Sequence, residues 1–444
     1  MELHLGIGQR PSRAQLENEL RDGVRAGRLR PGSSLPSSRA FAAQLGVSRG
    51  VVVEAYAQLA AEGWLAARQG AGTTVADVTA QPQPRLAPVL AETLPDVRYD
   101  LRTGRPDLSA FPRRAWASAL VAAVRLAPDA ALDYGDPCGT AALRAALVDH
   151  LGRTRGVLAD PADVVVVAGT AGGLPLLWRA LRARGARRVG VEDPGWREQA
   201  ASVRLAGLEP VPIPVDALGL DVGELAAANV DAVVVTPAHQ YPTGVVLAPE
   251  RRAALVRWAR ETDGTVVEDD YDAEFRYDRE PVGALQSLAP AQVAYVGSAS
   301  KTLAPALRLG WLVLPPALIE AVAAGAGRGT AVFEQLALST LVERGELARH
   351  LRRVRHTYRA RRDALVDALR GRVEVSGVAA GLHLMAPTEE AASIAARARA
   401  HGVALQTLHE ACTTCRPQPP ALLLGYARES EPALRHAVSL LALG

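Results

Sequence analysis

The sequence predicts two parts of different class: a small α+β unit built around a helix-turn-helix, then a large α/β unit with a mostly parallel sheet and a smaller α+β portion at its end. Three observations carry this expectation. Three short amphipathic helices crowd into the first 63 residues, a proline-bearing stretch without periodicity follows, and beyond it β-branched runs alternate with Ala/Leu/Arg-rich segments of helix length. At 444 residues with 49% hydrophobic side chains, the chain exceeds the usual size of one domain and can bury more than one core.

In the first unit, residues 12–27 place Leu16, Leu20 and Val24 at four-residue spacing behind a Ser cap and stop at Gly27. A second helix begins at the Pro36-Ser37 signal and closes at Gly46, and a third starts after Ser48 and closes at Gly63. The turn between them is as short as helix-turn-helix geometry requires. The run from Trp64 to Val75 reads as a small hairpin with its tip at Gly70 to Gly72. Residues 77–98 carry four prolines and no sustained period, which predicts a semi-extended linker between a domain at 1–76 and one at 99–444.

In the second unit, Asp163 to Val167, Arg188 to Glu192, Asp231 to Thr236, Thr265 to Asp269 and Val293 to Gly297 read as buried strands between helices, which means a largely parallel sheet covered on both faces. Chemistry-bearing residues cluster just after these strands, where open α/β sheets bind ligands. The large part spans about 125–315. Long helices and a final α+β portion form a smaller part at about 316–444, together with the N-terminal segment of the domain.

Composition narrows the functions. The net charge of +3 excludes a polycation, so any nucleic-acid contact must come from a local basic surface; residues 1–75 hold nine arginines against six acids. No signal peptide or membrane-length apolar run is visible, which predicts a cytoplasmic protein without a membrane partner. Cys412 and Cys415 have C-x-x-C spacing but no second ligand pair, so Cys138, Cys412 and Cys415 are expected to be reduced thiols and no metal is expected.

Of the 50 Lys and Arg residues, Lys301 is the one lysine. An arginine stays protonated, whereas a lysine amine can be shifted down by burial until it is a nucleophile suited to imine formation. A phosphate-bearing pyridine cofactor held as an imine needs donors for the phosphate, a carboxylate for the ring nitrogen and an aromatic face. Gly169 and Thr170 lie in a glycine-rich turn before a helix; Ser298 and Arg308 flank Lys301; Asp269 ends a buried strand; Trp196 follows Asp-Pro-Gly.

These residues resemble the fold-type-I pyridoxal-phosphate enzymes of the aspartate aminotransferase superfamily over about residues 100–440. The motifs are YGDPCGTAALRAAL at Tyr134, AGTAGGL at Gly169, EDPGW at Trp196, TPAHQYPTG at Thr236, VVEDDYDAEFRY at Asp269 and GSASKTLAPALRLGW at Lys301. The resemblance implies that Lys301 forms the internal aldimine with pyridoxal 5′-phosphate and that Asp269 pairs with the ring nitrogen, with Asp270 the competing carboxylate. It further implies that Tyr271 bonds the ring oxygen, Trp196 stacks on the ring, and Gly169, Thr170, Ser298 and Arg308 hold the phosphate. Tyr134 would reach in from a second subunit. Two departures stand out: His239-Gln240-Tyr241 precedes Pro-Thr-Gly where the superfamily usually has Asn, and Leu422-Leu423-Leu424-Gly425-Tyr426 lacks the arginine that grips a substrate carboxylate. Arg428, Arg416 and Arg197 are the candidate substitutes for an effector carboxylate.

The run LPSSRAFAAQLGVSRGVVVEAYAQLAAEGWLAARQGAGTTV resembles the winged helix-turn-helix of GntR-type transcription factors. The resemblance puts Ser37, Arg39, Ser48, Arg49, Arg68, Gly70 and Thr73 at the DNA, with the third helix in the major groove and the hairpin wing in the minor groove. A GntR domain joined by a linker to an aminotransferase-like domain is the architecture of MocR-type pyridoxal-phosphate-dependent regulators. That implies a transcriptional regulator rather than an enzyme, with residual half-transamination at most. It also implies an operator in double-stranded DNA, an amine, amino-acid or pyridoxal-phosphate effector, and a head-to-tail homodimer. The alternative is an aminotransferase with a vestigial DNA-binding domain.

Overall fold

The computed structural model describes residues 10–68, 72–77, 97–278, 282–327, 329–412 and 419–441. Gly70, Arg416, Cys415 and residues 78–96 of the expected linker lie outside the described residues, as does the side chain of Arg68. The chain divides into two compact units, Met1–Thr93 and Leu94–Gly444.

The first unit holds three helices, α1 (Arg13–Arg25), α2 (Ser38–Leu45) and α3 (Arg49–Ala61), and an antiparallel hairpin of β1 (Leu65–Arg68) and β2 (Gly72–Val75). Ser12 and Gln15 form a capping box: Ser12 Oγ accepts from the Gln15 amide at 3.3 Å and Gln15 Oε1 accepts from the Ser12 amide at 2.8 Å. Gly46 ends α2 in the left-handed conformation. Leu16, Leu20, Phe41, Leu45, Val52, Tyr56, Leu59, Leu65 and Val75 share one core, while Val24 packs at its margin. Tyr56 ties α3 to the start of α2 by donating to the Pro36 carbonyl at 3.1 Å.

The second unit is built on an eight-stranded sheet. Its strands and the helices that shape the site are β3 (Val164–Val167), α4 (Thr170–Ala183), β4 (Arg188–Asp193), α5 (Arg197–Leu205), β5 (Glu209–Asp216), β6 (Gly219–Leu220), β7 (Ala232–Val235), β8 (Thr265–Asp269), β9 (Val293–Ser298), α6 (Ala299–Thr302) and β10 (Gly310–Val313). The spatial order is β3-β10-β9-β8-β7-β4-β5-β6. β9, β8, β7, β4 and β5 run parallel. Alternate valines of β3 go to opposite faces: Val165 and Val167 join a core with α4, Val164 and Val166 another with the long helix Glu346–Leu369.

The five strands read from the sequence all form. Three others do not follow from hydrophobic pattern. β10 is antiparallel to both β9 and β3. β5 carries Pro210, Pro212 and Pro214 and reads as non-strand, yet it pairs in parallel with β4 near the sheet edge. Alternate residues of a parallel strand turn both peptide groups to the same neighbour, so the three prolines direct their missing N–H groups away from β4. On that outer side the Pro214 carbonyl accepts from Asp221 at 2.8 Å.

The smaller part contains an antiparallel sheet of His383–Pro387, Ala421–Gly425 and Gln406–Thr407. Tyr99–Asp100 pairs in parallel with Val403–Ala404, bringing the start of the unit against its end. Among the described residues no helix is long and apolar enough to cross a membrane.

Candidate ligand cavity and DNA-binding surface

At the carboxyl ends of the parallel strands lies a cavity of about 640 Å³. Gly169 and Thr170 line it from the β3–α4 turn, Trp196 and Arg197 from the start of α5, Asp269 from the end of β8, Tyr271 just beyond it, Ser298 and Lys301 from the β9–α6 junction, and Arg308 from before β10. Every sequence-predicted cofactor residue except Tyr134 therefore lines this cavity. Tyr134 is 70% exposed and does not line this cavity.

Lys301 Nζ donates to the Gly104 carbonyl at 2.6 Å. Burial pushes the amine below its ordinary value, against the opposing pull of Asp272 and Asp269. Gly104 has φ +68°, and a Cβ there would stand 3.2 Å from Nζ, so a glycine is what lets this loop approach the lysine.

The two adjacent carboxylates separate cleanly. Gln199 Nε2 donates to Asp269 Oδ2 at 2.8 Å, while Asp269 Oδ1 is buried without a partner. Burial raises Asp269 to about 7, opposed by the Gln199 hydrogen bond. Asp270 Oδ2 accepts from Arg155 Nε and the Tyr295 hydroxyl, each at 2.7 Å, inside the core, and although its Oδ1 is also buried without a partner, Asp270 does not line the cavity as Asp269 does. A buried acceptor with an empty valence is costly unless something supplies a donor, so Asp269 Oδ1 suits a protonated ring nitrogen.

Other lining residues of the cavity suit an anion. Gly169, at φ +71°, caps the N-terminus of α4 and aims first-turn amides at the lumen. Gly310 of β10 approaches it so closely that a Cβ would meet Gly169 Cα at 2.9 Å. Ser298 caps α6, and Arg308 holds a left-handed backbone with φ +51°, uncommon for a side chain of its size. Glycine turn, hydroxyls and guanidinium make a phosphate-type cradle. Together with Lys301, Trp196 and Asp269 these residues fit a phosphorylated pyridine aldehyde.

The effector candidates diverge. Arg197 lines this cavity and donates to the Glu410 carbonyl at 3.4 Å. Leu423 lines it from the strand where the superfamily carries its carboxylate-binding arginine. Arg428 lies elsewhere, in a second cavity of about 300 Å³ lined also by Arg105, Leu108 and Pro305 and sharing Thr103, Gly104 and Lys301 with the first. There Arg428 donates to Asp100 Oδ2 at 2.8 Å, an oxygen that also takes Arg102 Nη2 at 2.8 Å.

Sequence reasoning assigned no role to two lining residues, Gln199 and Tyr241, or to His239 beside Tyr271. Gln199 gives no signal beyond its place on α5. Tyr241, whose hydroxyl is 2.9 Å from Thr103 Oγ1, and His239, whose Nδ1 is 3.0 Å from the Tyr271 hydroxyl, sit in the departure before Pro-Thr-Gly. That departure was the available signal.

In the first unit, Ser37 caps α2 by accepting from the Ala40 amide at 3.3 Å, and Ser48 is the N-cap residue of α3. Ser37, Arg39, Ser48 and Arg49 are exposed, and Arg49 Nε donates to Ser38 Oγ at 3.3 Å. Thr73 is half-buried in β2, and Arg68 ends β1.

Comparison with known proteins gives two family matches: residues 100–437 match aminotransferase class I and II, and residues 12–75 match the bacterial regulatory proteins of the gntR family. The chain is 37% identical to the HTH-type pyridoxine biosynthesis transcriptional regulator PdxR of Corynebacterium glutamicum, over 80% of this chain and 78% of that protein. It is 33% identical to the probable rhizopine catabolism regulatory protein MocR of Rhizobium meliloti, over 97% and 93%. Among solved structures it resembles the multiple substrate aminotransferase of Thermococcus profundus with TM-score 0.71 and 27% identity, over 79% of this chain and 91% of that one.

Proposed function

The chain belongs to the MocR-type transcriptional regulators, in which a GntR helix-turn-helix precedes an aminotransferase class I and II domain, and we propose that it holds pyridoxal 5′-phosphate at Lys301 and answers to a small amine, an amino acid or that cofactor itself. The observation that carries this reading is the buried, unpartnered Asp269 Oδ1 on the same cavity wall as Lys301.

When bound, the cofactor supplies an electrophilic carbon that takes amines reversibly. This chain's residues do the rest. Asp269 Oδ1 holds a proton at the ring nitrogen, with Gln199 fixing the other carboxylate oxygen. Trp196 covers the ring face, and Gly169, Thr170, Ser298 and Arg308 grip the phosphate. Tyr271 donates to the ring oxygen. Burial of Lys301 enlarges the neutral fraction of its amine, which is the form that reacts. Tyr134, exposed and off its own cavity, is assigned to the cavity of a second copy in a head-to-tail dimer.

On this reading residues 1–76 bind operator DNA through Ser37, Arg39, Ser48, Arg49, Arg68, Gly70 and Thr73, residues 77–98 link the parts, and residues 99–444 sense. With Leu423 on the cavity wall, an effector carboxylate falls to Arg197, to Arg428 in the adjoining cavity, or to Arg416. The name of the Corynebacterium relative, a regulator of pyridoxine biosynthesis, supports the cofactor's own level as the signal. A ligand shifts DNA binding only by preferring one of two conformations, so occupation of the cavity must favour one arrangement of the dimer.

Lys301→Ala tests the division of labour. In the full-length protein it should abolish the cofactor's visible absorbance and the effector response while DNA affinity stays within about threefold, under ~1 kcal/mol. Steady-state transamination of an amino acid at about 1 s⁻¹ or faster, with no footprint on DNA, would instead establish the aminotransferase alternative.

A further inference from the structure

Next to Tyr271, outside the lining of the cavity, stands a buried group that the scheme above does not use. His239 Nδ1 lies 3.0 Å from the Tyr271 hydroxyl and 3.0 Å from Asp272 Oδ2. His239 and Asp272 are 2% and 1% exposed, so no water competes for these bonds. The chain is shaped to seat this ring. Gly381, at φ +72°, passes so close that a Cβ would fall 2.1 Å from His239 Cε1 and 2.7 Å from Asp272 Oδ2, and Gly244 flanks Nε2, where a Cβ would stand at 3.4 Å. The His383 ring packs 5.2 Å away, centroid to centroid, held by its Nε2 donating to the Pro242 carbonyl at 3.1 Å.

Hydrogen inventory fixes the direction of these bonds. A carboxylate only accepts, so Nδ1 of His239 must carry the hydrogen that goes to Asp272. A protonated Nδ1 cannot accept from Tyr271, which leaves the phenol hydrogen to the Asp272 carboxylate, its other side-chain partner, until a ring oxygen bound in the cavity competes for it. We propose that His239 and Asp272 form a buried relay that fixes Tyr271 as a hydrogen-bond donor into the cofactor cavity, which makes His239 a positioning residue for the bound ring oxygen. The inference rests on the cofactor reading above. Burial first, and the Asp272 carboxylate next, hold the Tyr271 phenol far above its ordinary pKa, so it remains a neutral donor. Burial also pushes His383 down to about 4, which leaves it uncharged beside His239.

The relay explains the departure before Pro-Thr-Gly. With Tyr241 there in place of an amide, and its hydroxyl engaged with Thr103 Oγ1 at 2.9 Å, the burden of meeting the ring oxygen falls on Tyr271. A donor at that oxygen draws off negative charge that would otherwise help hold a proton at Lys301 Nζ. Losing the donor should therefore raise the pH at which the bound cofactor's absorption changes. The titratable and charged groups facing this region are Lys301, Asp269, Tyr241, Tyr271, Asp272, His239 and His383, with Glu274, Tyr277 and Tyr426 also facing Asp272 and Arg105 acting on Lys301.

The test is a spectroscopic pH titration of the full-length protein loaded with pyridoxal 5′-phosphate. Tyr271→Phe and His239→Leu should each raise the spectral midpoint by about one pH unit, equivalent to ~1.4 kcal/mol. His239→Asn, which can still donate to Asp272, should restore most of the native value. Tyr271→Phe/His239→Leu should move no further than either alone, because both remove the same bond. A His239→Leu midpoint equal to the native one, with Tyr271→Phe shifted, would overturn the relay; a native protein without any cofactor band would overturn the cofactor reading itself. Should His239→Leu not fold, nitrogen-15 histidine spectra of the unsubstituted protein decide. A hydrogen on His239 Nδ1 is expected, and a bare Nδ1 would show Tyr271 donating to His239 and sink the proposal.

Discussion

The residues assigned to DNA lie within positions 37–73 and those among the described residues are mostly exposed, whereas the cavity draws on separate segments from Thr103 to Leu423 and includes the buried Asp269. The contrast extends to charge. The first unit keeps most of its charged groups at the surface and pairs several of them there, as Arg21 does with Glu62 at 2.9 Å, although Glu17 and Tyr56 are buried. The second buries carboxyls outright: Glu192, Glu268 and Asp269 are all pushed upward by burial. A surface that meets DNA needs charge that water can release to phosphates. A cavity that meets a cofactor needs charge withheld from water until the ligand arrives.

The sharpest way to break this contrast is pH. Glu192 and Asp269 titrate at about 7 in the folded unit, against 4.5 and 3.8 as their ordinary values. Between about 4 and 7 the folded state therefore holds protons that the unfolded chain has released. These carboxyls make the stability of the second unit fall as pH rises through that window and level off above it, by on the order of a few kcal/mol, partly offset below about 6.5 by His150 and His383, which burial pushes down to about 4. In the first unit the carboxyl with a shifted value, Glu62, moves downward and sits at the surface, so no comparable fall is expected. Calorimetry of the cofactor-free full-length chain at pH 5.5 and pH 8 checks this. The main transition should move down at the higher pH, and a main transition that moved up would contradict the burial argument.

The second test crosses from stability to binding. Arg49 opens α3 with its side chain exposed, its Nε donating to the Ser38 hydroxyl. Arg49→Ala should weaken operator binding by about 1–3 kcal/mol, roughly 5–150-fold, and leave the cofactor's absorbance unchanged. Titration at several salt concentrations sharpens the assignment. A loss confined to one operator sequence marks a base contact, whereas a uniform loss with a salt slope smaller by about one marks a phosphate contact.

How much of each unit could be read from the sequence follows from the same contrast. The first unit was legible to within a residue or two because caps and stops such as Ser12, Gly46 and Gly63 are local chemistry, and the structure starts and ends its helices beside them. In the second unit Lys301, Asp269 and Gly169 could be singled out because each ends or follows a strand whose hydrophobic run is visible. β5 could not, because its prolines deny the strand reading unless the edge position is known. Gln199, Asp272 and Gly381 were also unreadable. Each matters only through a residue 30 to 140 positions away, Asp269 for the first and His239 for the other two, and no local pattern encodes that proximity.

The smallest expected effect isolates the first unit by its own local chemistry. Ser12 and Gln15 satisfy each other's backbone amides at the start of α1, and α1 carries Leu16 and Leu20 into a core that α3 completes. Ser12→Ala removes the acceptor for the Gln15 amide but no apolar contact, so it should cost about 1 kcal/mol. In a unit this small that corresponds to a fall of about 4–8 °C in its own melting transition. The cavity is built from residues 103–423 and should keep its cofactor affinity unchanged. Equal weakening of cofactor affinity and of α1 by this one hydroxyl would mean that the two units unfold as one, and that the separation between exposed and buried chemistry is not also a separation in stability.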